Sequence, residues 1–187
     1  MDRPAHVDGQ VAGLVLAAGA GRRYGRPKAP VLIDGERLVD RAVRNLRDGG
    51  CAPVLVVLGA WVGDVPGARV VVNDEWEEGM GSSLRAGLRA VDAHEDVESV
   101  VVTLVDLPGL TPEAVRRLVD SDAALAAATY AGKRGHPVRF ARDHWAAIIE
   151  VARADEGARG YLRGRPDIEL IEVGDVASGQ DLDEPGE

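Results

Sequence analysis

Leu14–Lys28 reads LVLAAGAGRRYGRPK, and the rest of the chain is organised around how this stretch folds. An apolar run from Val11 to Ala18, broken only by Gly13, ends in a loop carrying Gly19, Gly21 and Gly25, and Arg22, Arg23, Arg26 and Lys28 fall within seven positions of one another. A buried strand running into glycines and cations has the chemistry of a phosphate cradle. Glycine lets backbone N–H groups approach an anion closely, and the guanidinium and ammonium groups supply charge. The stretch points to a nucleotide.

Two well-known loops do not fit. The dinucleotide fingerprint G-x-G-x-x-G meets Tyr24 three positions after Gly21, with glycine one place late at Gly25. The P-loop G-x-x-x-x-G-K-[ST] meets Tyr24 or Arg26 where its second glycine belongs, and Ala29 follows Lys28. The pattern present is L-A-A-G-x-G-x-R-x-G-x-P-K. It resembles the signature loop of the MobA-like NTP transferases, nucleotidyltransferases of GT-A-like, Rossmann-related fold, and among them most closely that of the molybdenum cofactor cytidylyltransferases.

Composition agrees with one such domain. A chain of 187 residues, 45% hydrophobic, suffices for a single core that buries roughly 70% of the unfolded surface. A net charge of −9 argues against a nucleic-acid surface, which would show a basic stripe. Cys51 is the sole cysteine, so no internal disulfide or cysteine metal cluster is available, and it reads as a packing residue. No apolar run approaches a membrane span and MDRPAHVDGQ has no signal core, so the expectation is a cytoplasmic protein with a loose leader at residues 1–10 and one domain over 1–187.

Beyond strand Val11–Ala18 come an extended Ala29–Ile33, an Asp34-Gly35 turn, and a helix with Leu38, Val39, Ala42, Val43 and Leu46 on one face, stopped by Gly49-Gly50. Val54–Leu58 reads as a central strand buried on both faces, Val70–Val72 as a shorter one and Ser99–Val105 as another. Thr111-Pro112-Glu113 starts a helix ending near Val119. Ala124–Tyr130 is a strand, followed by a glycine and cation loop, Gly132–Val138, and a short strand Val138–Phe140. Arg142–Val151 is a helix, Asp155 caps a second that ends near Arg163, and Asp167–Val173 is the last strand. This βα order predicts an α/β fold, and open α/β sheets bind ligands beyond the carboxyl ends of their strands. The resemblance makes it a single-domain, Rossmann-like (GT-A-like), mostly parallel sheet with helices on both faces and an antiparallel strand near the acceptor side.

In Asn73–Leu88, N-x-x-W-x-x-G-M-x-S-S-L-x-x-G-L, Ser82 or Ser83 is suited to cap the helix carrying Leu84, Leu88 and Val91, turning its positive end toward the crevice. The same pattern resembles a loop of the cytidylyltransferases, which implies that Gly81, Ser82 and Ser83 lie near base and ribose. Asp106 ends an apolar strand, where an unpaired carboxylate is expensive, and Mg²⁺ is its natural partner because that ion takes one or two carboxylates plus substrate phosphates. L-x-D-x-P, from Leu104 to Pro108, resembles the family's metal motif, although the family often has glutamine where this chain has Leu107. Gly132–Pro137, G-x-x-G-H-P, resembles a segment bordering the acceptor, which brings in Arg134 and His136; the alternative is a solvated hairpin. Asp155–Arg159, D-x-G-A-R, resembles another, so Arg159 meets either a phosphate or a surface acid. Asp181-Leu-Asp183-Glu-Pro185 resembles the closing D-I-D-T-P motif, whose second acid, here Asp183, supplies a metal ligand, while Glu184 replaces threonine.

Taken together, the resemblance implies transfer of a nucleotide from a nucleoside triphosphate to a phosphorylated small-molecule acceptor, molybdopterin first among them, with release of pyrophosphate. Leu16, Ala17, Ala18, Gly19, Gly21, Arg23 and Lys28 would hold the nucleotide, Arg23, Lys28 and Asp106 would serve catalysis, and Asp106 with Asp183 would hold Mg²⁺. Ala18, where guanylyl enzymes of the family have glycine, implies CTP over GTP. A molybdoenzyme would be the protein partner; neither nucleic acid nor membrane is expected. The competing expectations are a sugar- or polyol-phosphate acceptor and a non-catalytic cofactor carrier.

Overall fold

The computed structural model describes residues 9–183. Of the expected leader, residues 1–8 lie outside the described residues and Gln10 already opens the first strand; of the closing motif, residues 184–187 lie outside.

In chain order, β1 (Gln10–Ala17) leads through the cationic loop to a small hairpin, β2 (Leu32–Ile33) and β3 (Glu36–Arg37), then α1 (Leu38–Asp48), β4 (Val54–Leu58) and β5 (Arg69–Val72). There follow α2 (Met80–Asp92), β6 (Val97–Leu104), α3 (Pro112–Val119), β7 (Leu125–Tyr130), β8 (Lys133–Ala141), α4 (Trp145–Val151), α5 (Arg159–Leu162) and β9 (Glu169–Glu172). Seven strands form one sheet in the order β5-β4-β1-β6-β8-β7-β9. Only β8 runs against its sheet neighbours, β6 and β7.

Both faces of the sheet are covered, and the period of two along each strand divides the core. Val15, Val56, Leu58, Val101 and Ala126 meet Leu38, Val39, Leu46, Val115 and Leu118 of α1 and α3. Leu14, Leu55, Val57, Val100, Val102 and Phe140 meet Leu84, Leu88, Trp145 and Ile148 of α2 and α4. From β1 the chain steps outward to β4 and β5, then crosses back to β6 on the other side of β1. The strand order therefore reverses between β1 and β6, the switch point where a crevice opens beyond the carboxyl ends. Cys51 is buried in the first cluster, and burial pushes its thiol up to about 12, consistent with packing and not reactivity. No helix among the described residues is long and apolar enough to cross a membrane.

Three local expectations are corrected. Helix α2 starts at Met80 with Gly79 as its N-cap, so Ser82 and Ser83 lie within its first turn and do not cap it. Lys133–Val138 is not a loop: the turn is confined to Ala131 and Gly132, both at positive φ, and β8 extends back to Lys133. Asp155 caps nothing; it lies in a short 3-10 turn, Ala154–Glu156, whose N-cap is Arg153. The Thr111 cap is present as expected, accepting from Ala114 N, with Pro112 opening the helix.

The β7–β8 turn is held from β9. Glu172 accepts from Ala131 N (2.8 Å), Gly132 N (3.0 Å), Gly174 N (3.0 Å) and Thr129 Oγ1 (2.8 Å). The backbone donors Gly132 and Ala131, then Thr129, hold its carboxyl down to about 2 from an ordinary 4.5. A carboxylate depressed on folding stabilises the protein fully above its unfolded value and loses that contribution as pH falls through the folded one. Melting temperature should therefore fall between about pH 4.5 and pH 2 more steeply in the native protein than in Glu172→Gln, measured side by side; parallel curves would show that the turn does not depend on this charge.

Candidate functional site

At the switch point a cavity of about 360 Å³ is lined by Leu16–Arg22 of the β1 loop, Leu104–Asp106 after β6, Lys28, and Trp76, Glu77, Gly79, Met80 and Ser83 at the start of α2. The loop is built for close approach. A side chain on Gly21, at φ +61°, would strike the Arg26 carbonyl, so only glycine closes this turn, while a Cβ on Gly19 would meet nothing within 4 Å and would project into open space. Of the residues named from the sequence, Leu16, Ala17, Ala18, Gly19, Gly21, Lys28 and Ser83 line this cavity.

Three other expected residues are placed differently. Gly81 is packed against the Arg153 backbone, where a Cβ would come within 2.7 Å of its nitrogen. Ser82 Oγ accepts from Asn73 Nδ2 at 2.9 Å and shares its hydrogen between Glu75 O at 2.8 Å and Gly79 O at 2.9 Å, so it braces the loop from behind. Arg23 stands outside, 3.8 Å from Asp183 and 84% exposed, and Arg22 is the arginine that lines the cavity. A contiguous run of arginines gives no sequence signal for which one turns inward.

Asp106 and Asp183 are brought together by the tail. After β9, Ser178 N donates to Gly109 O (3.0 Å) and Leu182 N to Asp106 O (2.9 Å), and Leu182 is buried between the two acids' positions, anchoring the strap. Lys28 Nζ lies between the acids, 2.9 Å from Asp106 Oδ2 and 3.5 Å from Asp183 Oδ1. Asp106 Oδ1 is buried with no hydrogen-bond partner among the described residues. An orphaned carboxylate oxygen beside a second carboxylate fits a divalent ion that completes its shell with phosphate oxygens and water. No cluster of three or more His, Cys, Asp or Glu is preassembled for a metal among the described residues.

A second cavity, about 430 Å³, adjoins the first and shares Leu16, Met80, Leu104 and Asp155 with it. Its floor is apolar, with Val102, Val138, Phe140 and Leu162; its rim carries Lys133, Arg134, Arg159 and Arg163. Arg134, His136 and Arg159 therefore line one cavity. Burial pushes the His136 imidazole down to about 4, with Asp106 opposing and Arg159 adding to the shift, so it is neutral at pH 7. Burial, then the charges of Asp106 and Asp183, raise Asp181, which also lines this cavity. Tyr130, unmarked in the sequence, donates to His136 O at 2.7 Å while its ring packs under Gly179 of the strap, joining the two walls. Asp155 was legible only as a capping acid; the fold puts it on the partition between the cavities.

A family model described as the MobA-like NTP transferase domain matches residues 13–170. The "Nicotine blue oxidoreductase" of Paenarthrobacter nicotinovorans is 38% identical over 190 residues, with 92% of each chain covered. The molybdenum cofactor guanylyltransferase of Rhodobacter capsulatus is 33% identical over 147 residues, spanning 75% of this chain and 68% of that one. Among solved structures, Rv0371c of Mycobacterium tuberculosis in complex with manganese superposes with a TM-score of 0.72 at 26% identity, covering 88% of each chain.

Proposed function

The chain belongs to the MobA-like NTP transferase family, and on that premise we propose that it transfers a cytidylyl group from CTP to a phosphorylated acceptor, molybdopterin first, in a Mg²⁺-dependent reaction. The observation that carries the reading is the junction itself: glycine loop, Lys28, Asp106 and Asp183 meet where a cavity with a cationic loop adjoins one with a cationic rim. An acceptor phosphate oxygen bonds to the α-phosphorus, the bond from that phosphorus to the bridging oxygen breaks, and the electron pair leaves with pyrophosphate. The nucleophile is already anionic, so alignment and charge neutralisation are what the protein supplies.

Backbone N–H groups of Gly19–Gly21 cradle the phosphates, Arg22 and Lys28 neutralise them, and Arg23 approaches from outside. Asp106 and Asp183 would hold Mg²⁺, which when bound would neutralise charge on the transferring phosphoryl group. Arg134 and Arg159 receive the acceptor, and neutral His136 offers it a hydrogen bond. That a similar structure, Rv0371c, is in complex with manganese supports a divalent ion for this fold. A molybdoenzyme would take the product.

The choice of CTP rests on Ala18. Its side chain is buried and lines the nucleotide cavity, and a Cβ built on Gly59 would stand only 2.9 Å from its own, so the methyl stiffens a closely packed wall. A panel of triphosphates with Mg²⁺, read by thermal stabilisation and by pyrophosphate release with acceptor, tests this. CTP should stabilise most, and Ala18→Gly should move the CTP-to-GTP ratio of kcat/KM toward GTP by about tenfold, the scale of one methyl group in a pocket. Tighter binding of GTP by the native protein would overturn the base assignment. The relative named an oxidoreductase supplies the second reading, favoured by the apolar floor of the second cavity; absence of pyrophosphate with every triphosphate would favour it.

A further inference from the structure

Lys28 is placed where a metal ion and a phosphate would each claim its surroundings. Its side chain is 13% exposed and that of Asp106 22%, so this pair is shielded from solvent more than the chain's surface ion pairs are. The ammonium spans Asp106, at the end of the β6 segment, and Asp183, on the strap, acids that would otherwise repel each other across the cavity mouth. Among the described residues the strap's other ties include Ser178 N to Gly109 O, Leu182 N to Asp106 O, the buried Leu182 side chain, the packing of Gly179 over Tyr130, and the longer approach of Arg23.

We propose that Lys28 is the resident counter-ion of the metal-binding carboxylates: before nucleotide arrives its ammonium holds Asp106 and Asp183 together and keeps a divalent ion from binding alone, and a metal-bound triphosphate takes over both acids while accepting the ammonium on its phosphates. The proposal rests on the metal assignment above and adds an order of assembly to it. A divalent ion entering alone would face a positive charge at contact distance from the oxygens it needs. One entering with a polyanion brings the charge that draws Lys28 away. Lys28 is then a positioning residue for the strap in one state and a phosphate ligand in the other.

The test uses Mn²⁺ as probe, without nucleotide, on the full chain and on Lys28→Met, Lys28→Gln and Asp183→Asn, with dissociation constants from calorimetry and hydrogen exchange read at the Leu182 amide. Both neutral replacements of Lys28 should bind Mn²⁺ about tenfold more tightly than the native protein, because the competing charge is gone. Without metal their Leu182 amide should exchange about tenfold faster, and Mn²⁺ should restore its protection by rejoining the acids. Asp183→Asn should also exchange faster but bind Mn²⁺ more weakly and gain no protection from it. Equal or weaker Mn²⁺ binding in both Lys28 variants, or unchanged Leu182 exchange, overturns the counter-ion role while the metal assignment stands on the weaker binding of Asp183→Asn. If Asp183→Asn binds Mn²⁺ as the native protein does, the metal assignment itself fails and takes the proposal with it.

Discussion

Asp106→Asn is expected to lower nucleotidyl transfer at least about a thousandfold, the scale of the several kcal/mol of charge stabilisation that a bound divalent ion supplies. The substitution keeps the shape of the side chain and the backbone acceptor at Asp106 O that receives Leu182 N, so the fold and the strap's main-chain tie should survive. What it removes is the charge paired with Lys28 and one of the two carboxylate oxygens, leaving a neutral amide where a metal would need an anionic ligand. Pyrophosphate release with Mg²⁺, CTP and acceptor, alongside the melting temperature, is the measurement. Turnover near the native level would reject Asp106 as a metal ligand, and loss of activity with collapse of the melting temperature would make it a structural acid instead.

The second large effect concerns the tail. Deleting residues 179–187 should abolish transfer, since it removes Asp183 and Asp181 together and opens the wall that Gly179 forms over Tyr130. It should also cost stability. Leu182 is 4% exposed and belongs to the same apolar cluster as Val173 and Leu107, so its loss costs about 2 kcal/mol, or roughly 5 °C for a chain of this size. Point variants divide the two acids. Asp183→Asn should be far more damaging than Asp181→Asn, because Asp183 faces Lys28 whereas Asp181 lines the second cavity. Full activity in the truncated protein would refute a catalytic tail, and a worse defect in Asp181→Asn would reverse the assignment.

What could be read from residues alone follows from how each element is buried. Val54–Leu58 is enclosed on both faces, so every residue is apolar and its length alone marks a central strand. The start of β8 carries Lys133, Arg134 and His136 because it borders the second cavity, and these polar residues hide the ladder that makes them a strand. Helix α2 begins at Met80, between two glycines, because the Ser82 and Ser83 hydroxyls that suggested a cap are taken by Asn73, nine and ten residues away. In the site, acids at strand ends and glycines beside cations are legible since both are costly without a ligand. Tyr130 and Asp155 are not, because their importance lies in what the fold lays against them.

The shared partition between the cavities bears on departure as much as on reaction. Leu16, Met80, Leu104 and Asp155 belong to both chambers, so a molecule made by joining the two occupants would straddle the wall and keep the grip of each. With the two proposed substrates in the two cavities, either would leave by surrendering one set of contacts; the joined product would have to surrender both in a single event, its halves holding each other at high effective concentration. On the proposed reading, an architecture that makes bond formation a matter of adjacency would thereby shift the slow step of the cycle toward exit.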